Sequence, residues 1–344
     1  MNRGARPYFV SATLDDVAAR CGVSYQTVSR VVNNSPLVTE KTRALVLKAV
    51  ADLDYRPNLA ARRLATRRSS VIGMVGTKMT YYGPAQVMVS VEETARRRGY
   101  NLMFVGVERP SKAQLATAIN DLCEHQVDGF LFGVRLGRSL DSVRKLCRGA
   151  PFVTLDAGAS DNVPTVVVDQ QYGVQLATRH LLDLGHRQIA YIAGPPGWSA
   201  SKERRKGWAQ TLAEADLEPG LCVDGDWSPE SGYAAVGQLL DFGARRFTAI
   251  VAANDHMALG ALRALRTNGI RVPEDISVIG YDDLPESGFF EPPLTTVHHD
   301  FARQGERSVE VLLRMINREP AELPLELLRP ELVIRESTAM PDTT

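Results

Sequence analysis

Three short stretches with apolar residues at helical spacing open the chain. Leu14, Val17 and Ala18 form the first stripe. Thr13 followed by Asp16 fits the capping box that starts a helix, and Gly22 permits the tight turn that ends it. Ser24 suits the cap of a second helix, Tyr25 to about Val32, which Asn33, Asn34, Ser35 and Pro36 break. Thr39 opens a third, with Ala44, Leu45, Leu47, Val50, Ala51 and Leu53 as its stripe and Arg56-Pro57 as its stop. A small core is expected from Leu14, Val17, Ala18, Val23, Val28 and Val31.

Residues 58–70 are basic with sparse apolar positions, which predicts a linker that is helical only when docked. From Val71 the pattern becomes short apolar runs alternating with helical stretches. The runs at 71–76, 102–107, 129–134, 152–156, 165–168, 188–193, 247–253 and 276–281 give the βαβ signature of parallel sheets. They exceed one comfortable sheet of this type, so two doubly wound lobes with a cleft between them are expected. A returning strand is expected at about 331–335. The fold class is therefore α/β: an N-terminal all-α headpiece on a two-lobed body with parallel sheets. The expected boundaries are headpiece 1–57, linker 58–70, body 71–337 and tail 338–344. Within the body, one lobe takes about 71–169 with 301–328 and the other 170–300 with 329–337.

Charge sharpens the picture at the N-terminus. The 344 residues hold 40 Lys+Arg and 40 Asp+Glu, a formal net charge of zero. Residues 1–70 alone hold 12 basic and 5 acidic side chains, a balance of +7, which leaves −7 for the rest. A basic first fifth on an acidic body points to an anionic partner. Helix, glycine turn and second helix make the helix-turn-helix arrangement. Its second helix lays N-terminal residues against base edges in the major groove. Here those residues are Tyr25, Gln26, Ser29 and Arg30. Gln pairs bidentately with adenine and Arg with guanine. A plain helical subdomain with a polar surface helix is the competing account. It leaves the coincidence of local charge, reading pattern and basic linker unexplained.

The segment Gly22-Val23-Ser24-Tyr25-Gln26-Thr27-Val28-Ser29-Arg30-Val31-Val32-Asn33 resembles the recognition segment of the LacI/GalR repressor family. The resemblance runs from about Thr13 to Glu336 and is strongest to lac-type members. It recurs at Gly225-Asp226-Trp227-Ser228, at Ala253-Asn254-Asp255-His256-Met257-Ala258-Leu259-Gly260, at residues 275–283 and at Pro292-Pro293-Leu294-Thr295-Thr296. It implies that Tyr25, Gln26 and Arg30 read a lac-like operator half-site. It implies Thr13, Ser24, Thr27, Ser29, Asn33 and Asn58 as further DNA contacts. It also implies a hinge helix near 58–66, whose Leu64 pairs with its twofold mate in the minor groove. An apolar wedge of that kind unstacks a base step and bends the duplex, with Arg62 and Arg63 on flanking phosphates. A plain apolar contact of Leu64 with the body is the alternative.

For the body the resemblance implies the architecture of periplasmic sugar-binding proteins, with a small effector in the cleft. Asp156, Arg204, Trp227, Asn254, Asp282 and Phe301 match effector-contact positions of lac-type members. Their chemistry suits a sugar: Asp156, Asn254 and Asp282 end apolar strands, where a cleft exposes them. Arg204 follows the Gly194-Pro195-Pro196-Gly197 loop, and Trp227 offers a face to a sugar ring. Bland alternatives stand beside these. Phe301 and Trp227 also suit an aromatic core, Asp282 suits a cap, and Asn254 and Asp255 suit the start of a helix at 256–268. Four pocket positions depart from lac-type members: Gly133 replaces an asparagine, His256 a glutamine, Ala200 a serine and Tyr81 a leucine. Tyr81 and His256 are included among the effector contacts. A galactoside is the first choice of effector and another glycoside the second.

The whole is expected to act as a sugar-responsive transcriptional repressor, dimeric on a near-palindromic double-stranded operator. The sign of regulation stays open at this stage. No apolar run approaches the ~18 residues of a membrane span, and the N-terminus lacks the apolar region of a signal peptide. A cytoplasmic location is therefore expected, and a transport-type sugar-binding protein is disfavoured. Cys21, Cys123, Cys147 and Cys222 lie far apart with no metal spacing, so neither a zinc site nor a disulfide framework is expected. No cofactor is expected. His180, His186, His256, His298 and His299 are scattered, without nucleophile elbow or P-loop, so no enzyme is expected. Adjacent Asp282 and Asp283 point to opposite faces of a strand and do not form a catalytic pair. Lac-type tetramers use C-terminal leucine heptads; none follows Ser337, so a dimer is expected.

Overall fold

Local capping decides where the N-terminal helices begin. In the computed structural model, α1 spans Leu14–Cys21 and opens on the expected box. The Asp16 amide donates to Thr13 Oγ1 at 3.2 Å, and the Thr13 amide donates to Asp16 Oδ2 at 2.7 Å. Gly22 ends it at φ 65°, a left-handed conformation that only glycine adopts without strain. Ser24 Oγ accepts from the Thr27 amide at 3.2 Å and so caps α2, Tyr25–Val32. Thr39 caps α3, Glu40–Asp52. The structure describes residues 12–32, 35–55, 68–77, 79–107, 111–136, 140–155, 163–243, 247–319 and 325–342.

Val17, Ala18, Val28 and Val31 are buried in this first unit, with Leu14 and Val23 packed on their edge. The stripe of α3 differs from the expected one. Its buried face is Val46 and Ala49, flanked by Val50 and Leu53, while Leu45 and Leu47 stay about half exposed. Tyr55 completes the core beyond the helix end. The chain divides into two compact units at Ser69/Ser70.

The second unit holds two six-stranded sheets. The first contains β1 (Val71–Gly76), β2 (Asn101–Gly106), β3 (Gly129–Phe132), β4 (Phe152–Thr154), β5 (Thr165–Val168) and β11 (Leu325–Leu328). Their order is β11-β5-β4-β3-β1-β2 and every pair is parallel. The second contains β6 (Ile189–Ala193), β7 (Cys222–Asp224), β8 (Ala249–Ala252), β9 (Ser277–Asp282), β10 (Thr295–His298) and β12 (Glu331–Val333). Their order is β12-β10-β9-β8-β6-β7. Only β12 runs antiparallel, on β10.

Helices cover both sheets. They are α4 (Tyr82–Arg97), α5 (Lys112–Glu124), α6 (Leu140–Leu146), α7 (Gln170–Asp183), α8 (Ser199–Glu214), α9 (Pro229–Asp241), α10 (Asp255–Thr267) and α11 (Phe301–Ile316). The chain passes between sheets three times, between β5 and α7, between β10 and α11, and between β11 and β12. Strands β7, β10 and β11 were not legible as apolar runs. β7 has three residues, Thr295-Thr296 buries hydroxyls rather than alkyl groups, and β11 is an edge strand exposing Leu325 and Leu327.

Candidate functional site

The candidate reading face of the first unit follows from the helical period. Val28 and Val31 point into the core, while Tyr25, Gln26 and Arg30 are exposed. At 100° per residue, positions 25, 26, 29 and 30 fall within one arc of roughly 140°. The Thr13 and Ser24 hydroxyls are engaged in capping, and Thr27 Oγ1 lies 2.9 Å from Ser24 Oγ. Thr13 holds the Asp16 carboxyl below the usual range. Asn33, Asn58, Arg62, Arg63, Leu64 and Asp156 lie outside the described residues.

Within the second unit, Tyr81, Arg204, Trp227, Asn254, His256, Asp282 and Phe301 all line one cleft of about 920 Å³. Gly133 and Ala200 line it too. Arg204, from α8, is its electrostatic centre. Its Nε donates to Gln170 Oε1 at 2.7 Å, Nη1 donates to the Ala253 carbonyl, and Nη2 donates to Asp282 Oδ1 at 3.3 Å. The guanidinium lies 3.6 Å from the Tyr281 ring centroid. Both members of the Arg204–Asp282 pair are buried. Burial pushes the Asp282 carboxyl up to about 6 against the opposing pull of Arg204. Asp282 also sits at φ 109°, outside the range that suits a side-chain-bearing residue. Asp283 turns to other partners, His298 Nδ1 at 3.0 Å and Arg335 Nη2 at 2.7 Å.

Asn254 is a helix cap as well as a lining residue. Its Oδ1 accepts from the Met257 amide at 2.9 Å, and its Nδ2 donates to the Trp227 carbonyl at 3.1 Å. That second bond ties Trp227 to the start of α10. A β-carbon on Gly194 would collide with the Trp227 ring, so the loop after β6 must be glycine there for the indole to seat. Trp227 and Phe301 are mostly buried and line the cleft, so core packing and lining coexist in each. His256 is partly buried, which pushes its imidazole down.

Several lining residues were missed from sequence. Gln170 follows the first crossover and holds Arg204. His299 stacks on Phe301 at 3.8 Å, and burial pushes it down to about 3. Gln304 donates to the Leu155 and Val166 carbonyls at 3.4 and 3.2 Å. Trp198 lies edge-on to Tyr81 at 4.9 Å and to Trp227 at 5.9 Å. The loop 194–197 marked this neighbourhood, but nothing local distinguished Trp198 from a core aromatic. Among the described residues, no group of three His, Cys, Asp or Glu is placed to hold a metal, and no helix is long and apolar enough to cross a membrane.

Residues 13–58 match the model of bacterial regulatory proteins of the lacI family, and residues 178–338 match the periplasmic binding protein-like domain. The chain is 37% identical over 332 residues to the lactose operon repressor of Escherichia coli (strain K12), covering 96% of this chain and 92% of that protein. This chain belongs to the LacI family. Members are DNA-binding transcription regulators, and the relatives found are repressors rather than enzymes. A second relative is the HTH-type transcriptional repressor PurR of Pasteurella multocida (strain Pm70), 36% identical over 95% of this chain and 98% of its own length. Among solved structures, the lac repressor dimer bound to operator and the anti-inducer ONPF matches with TM-score 0.87 and 37% identity, over 95% of this chain and 99% of that one. The complex of the transcriptional regulator CelR with cellobiose matches with TM-score 0.70 and 34% identity, over 95% of this chain and 99% of that one. The two-lobed α/β body with a helical N-terminal unit is thus the LacI-family fold.

Proposed function

We propose that this LacI-family member is a sugar-responsive transcriptional repressor that binds a near-palindromic operator as a dimer and is released by a small glycoside. Residues 1–57 serve as reading head, 58–70 as hinge and 71–337 as effector body, acting in the cytoplasm where the operator lies. Tyr25, Gln26 and Arg30 read base edges. Thr13, Ser24, Thr27, Ser29, Asn33, Asn58 and Arg62 serve as further contacts, and Leu64 is the minor-groove wedge. The effector occupies the cleft among Tyr81, Asp156, Arg204, Trp227, Asn254, His256, Asp282 and Phe301. A galactoside is the first candidate.

The observation that carries the effector role is the buried Arg204–Asp282 pair beside an indole face. A charged donor and acceptor next to an aromatic ring match a sugar, which has hydroxyls at its edge and C–H groups on its face. By linkage, effector and operator weaken each other by the same factor. Two measurements test the proposal. Gel shifts at two salt concentrations should show a specific, salt-sensitive complex with a lac-like site. A thermal-shift panel of sugars should raise the melting temperature with at least one glycoside. The PurR-type relatives and the same aromatic lining favour a flat heterocyclic base as the second reading, so a purine belongs in the panel. Stabilisation by the purine and by no sugar overturns the sugar assignment.

A further inference from the structure

The cleft is chemically two-sided. One side carries charge and amides: Arg204, Asp282, Gln170 and Asn254. The other carries three aromatic rings set edge to face in series. Trp227 meets Trp198 at 5.9 Å and 79°, and Trp198 meets Tyr81 at 4.9 Å and 78°. Trp227 borders both sides, its ring centroid 5.6 Å from the Arg204 guanidinium. Tyr81 stands immediately before α4, in the lobe of the first sheet, and Trp198 immediately before α8, in the lobe of the second. The aromatic series therefore spans the cleft from lobe to lobe. Gly133 and Ala200 also line the cleft and bring no polar side chain to it.

Resting on the reading of the cleft as a glycoside site, we infer that the effector has two rings. The sugar ring meets Arg204 and Asp282, and a second ring lies against Trp198 and Tyr81. Volume supports this. Bonded heavy atoms pack closer than separate waters at roughly 30 Å³ each, so the dozen heavy atoms of a hexose fill well under about 360 Å³. The cleft holds about 920 Å³. A single sugar at the polar side leaves the aromatic side to water, which is unfavourable against three ring edges and faces. The required chemistry of the second ring is a flat apolar face, supplied either by an aryl group or by the C–H face of a second pyranose. Trp198 is then the residue that selects two-ring ligands over simple sugars.

The test is calorimetric titration of the full chain with matched sets of galactosides and glucosides. Each set contains the methyl glycoside, the phenyl glycoside and a disaccharide with the same terminal sugar. In the best-binding set the phenyl glycoside or the disaccharide should bind about tenfold or more tighter than the methyl glycoside. The arm that gains identifies the second ring as aryl or pyranose. Trp198→Ser should move that ratio toward one, and Tyr81→Leu, from the opposite lobe, should do the same. Melting curves without ligand establish that each variant is folded, and either folded variant suffices. A bound methyl glycoside with a ratio near one, or a ratio that both folded variants leave intact, overturns this inference and leaves the glycoside assignment standing. No binding in any set overturns both.

Discussion

In the proposed effector site, Asp282 is the residue whose ionisation would couple ligand binding to pH. A sugar hydroxyl donates best to an ionised carboxylate. Burial places the Asp282 carboxyl at about 6, so the ionised form dominates above that pH and is lost below it. Effector affinity is therefore expected to fall by up to about tenfold per pH unit below about 6. Asp282→Asn should flatten that dependence in calorimetric titrations between pH 5 and 8. In the first unit, Arg30 is exposed on the same arc as Tyr25 and Gln26. Arg30→Ala should cost about 1–3 kcal/mol at one guanine position. Binding to a set of single-base operator variants checks this. A uniform loss across all of them makes Arg30 a phosphate contact instead.

At the scale of elements, capping decides more than propensity. The Thr13–Asp16 box satisfies amides that α1 leaves open at its start. Thr13→Ala should destabilise the first unit by about 0.5–2 kcal/mol, read from the urea midpoint of helical signal. Helices α1 and α2 were legible because each carries its own start signal and a single apolar face. The face of α3 was not. Its apolar residues crowd positions 44–47 and 49–51, which span most of the helical circumference. Only packing against α1 and α2 selects Val46 and Ala49 and leaves Leu45 and Leu47 outside. Strand β10 escaped for a different reason. Its buried Thr296 hydroxyl donates to Asp255, a partner that the segment itself does not contain.

At the scale of the whole molecule, Asp255 ties three segments together. Fully buried, it accepts from the Leu284 amide at 2.8 Å, from Ser287 Oγ at 2.6 Å and from Thr296 Oγ1 at 2.5 Å. Burial outweighs these donors and pushes its carboxyl up to about 7. The native state then holds a proton that the unfolded chain releases near 4, so this contribution is full at low pH and is lost as pH rises through about 7. His299, pushed down to about 3, works in the opposite sense. The Asp255 share is therefore read as the difference between wild type and Asp255→Asn. Between pH 4 and 7.5 the wild type should lose stability relative to the variant by an amount on the order of 4 kcal/mol. Parallel curves would remove Asp255 as the source. The sequence by itself determined the helix-turn-helix unit, the alternation of strands and helices, and seven of the residues that line the cleft. Those signals are local: a cap, a period, a run, or a block of residues shared with a family. The tertiary structure alone decided that Arg204 meets Asp282 across 78 positions, that Asn254 fastens Trp227, and that Trp198 and Tyr81 meet from opposite lobes. The first two depend on how the strands are ordered within the second sheet and the last on where the crossovers bring the two sheets, and side chains distant along the chain carry no local pattern that announces their partner.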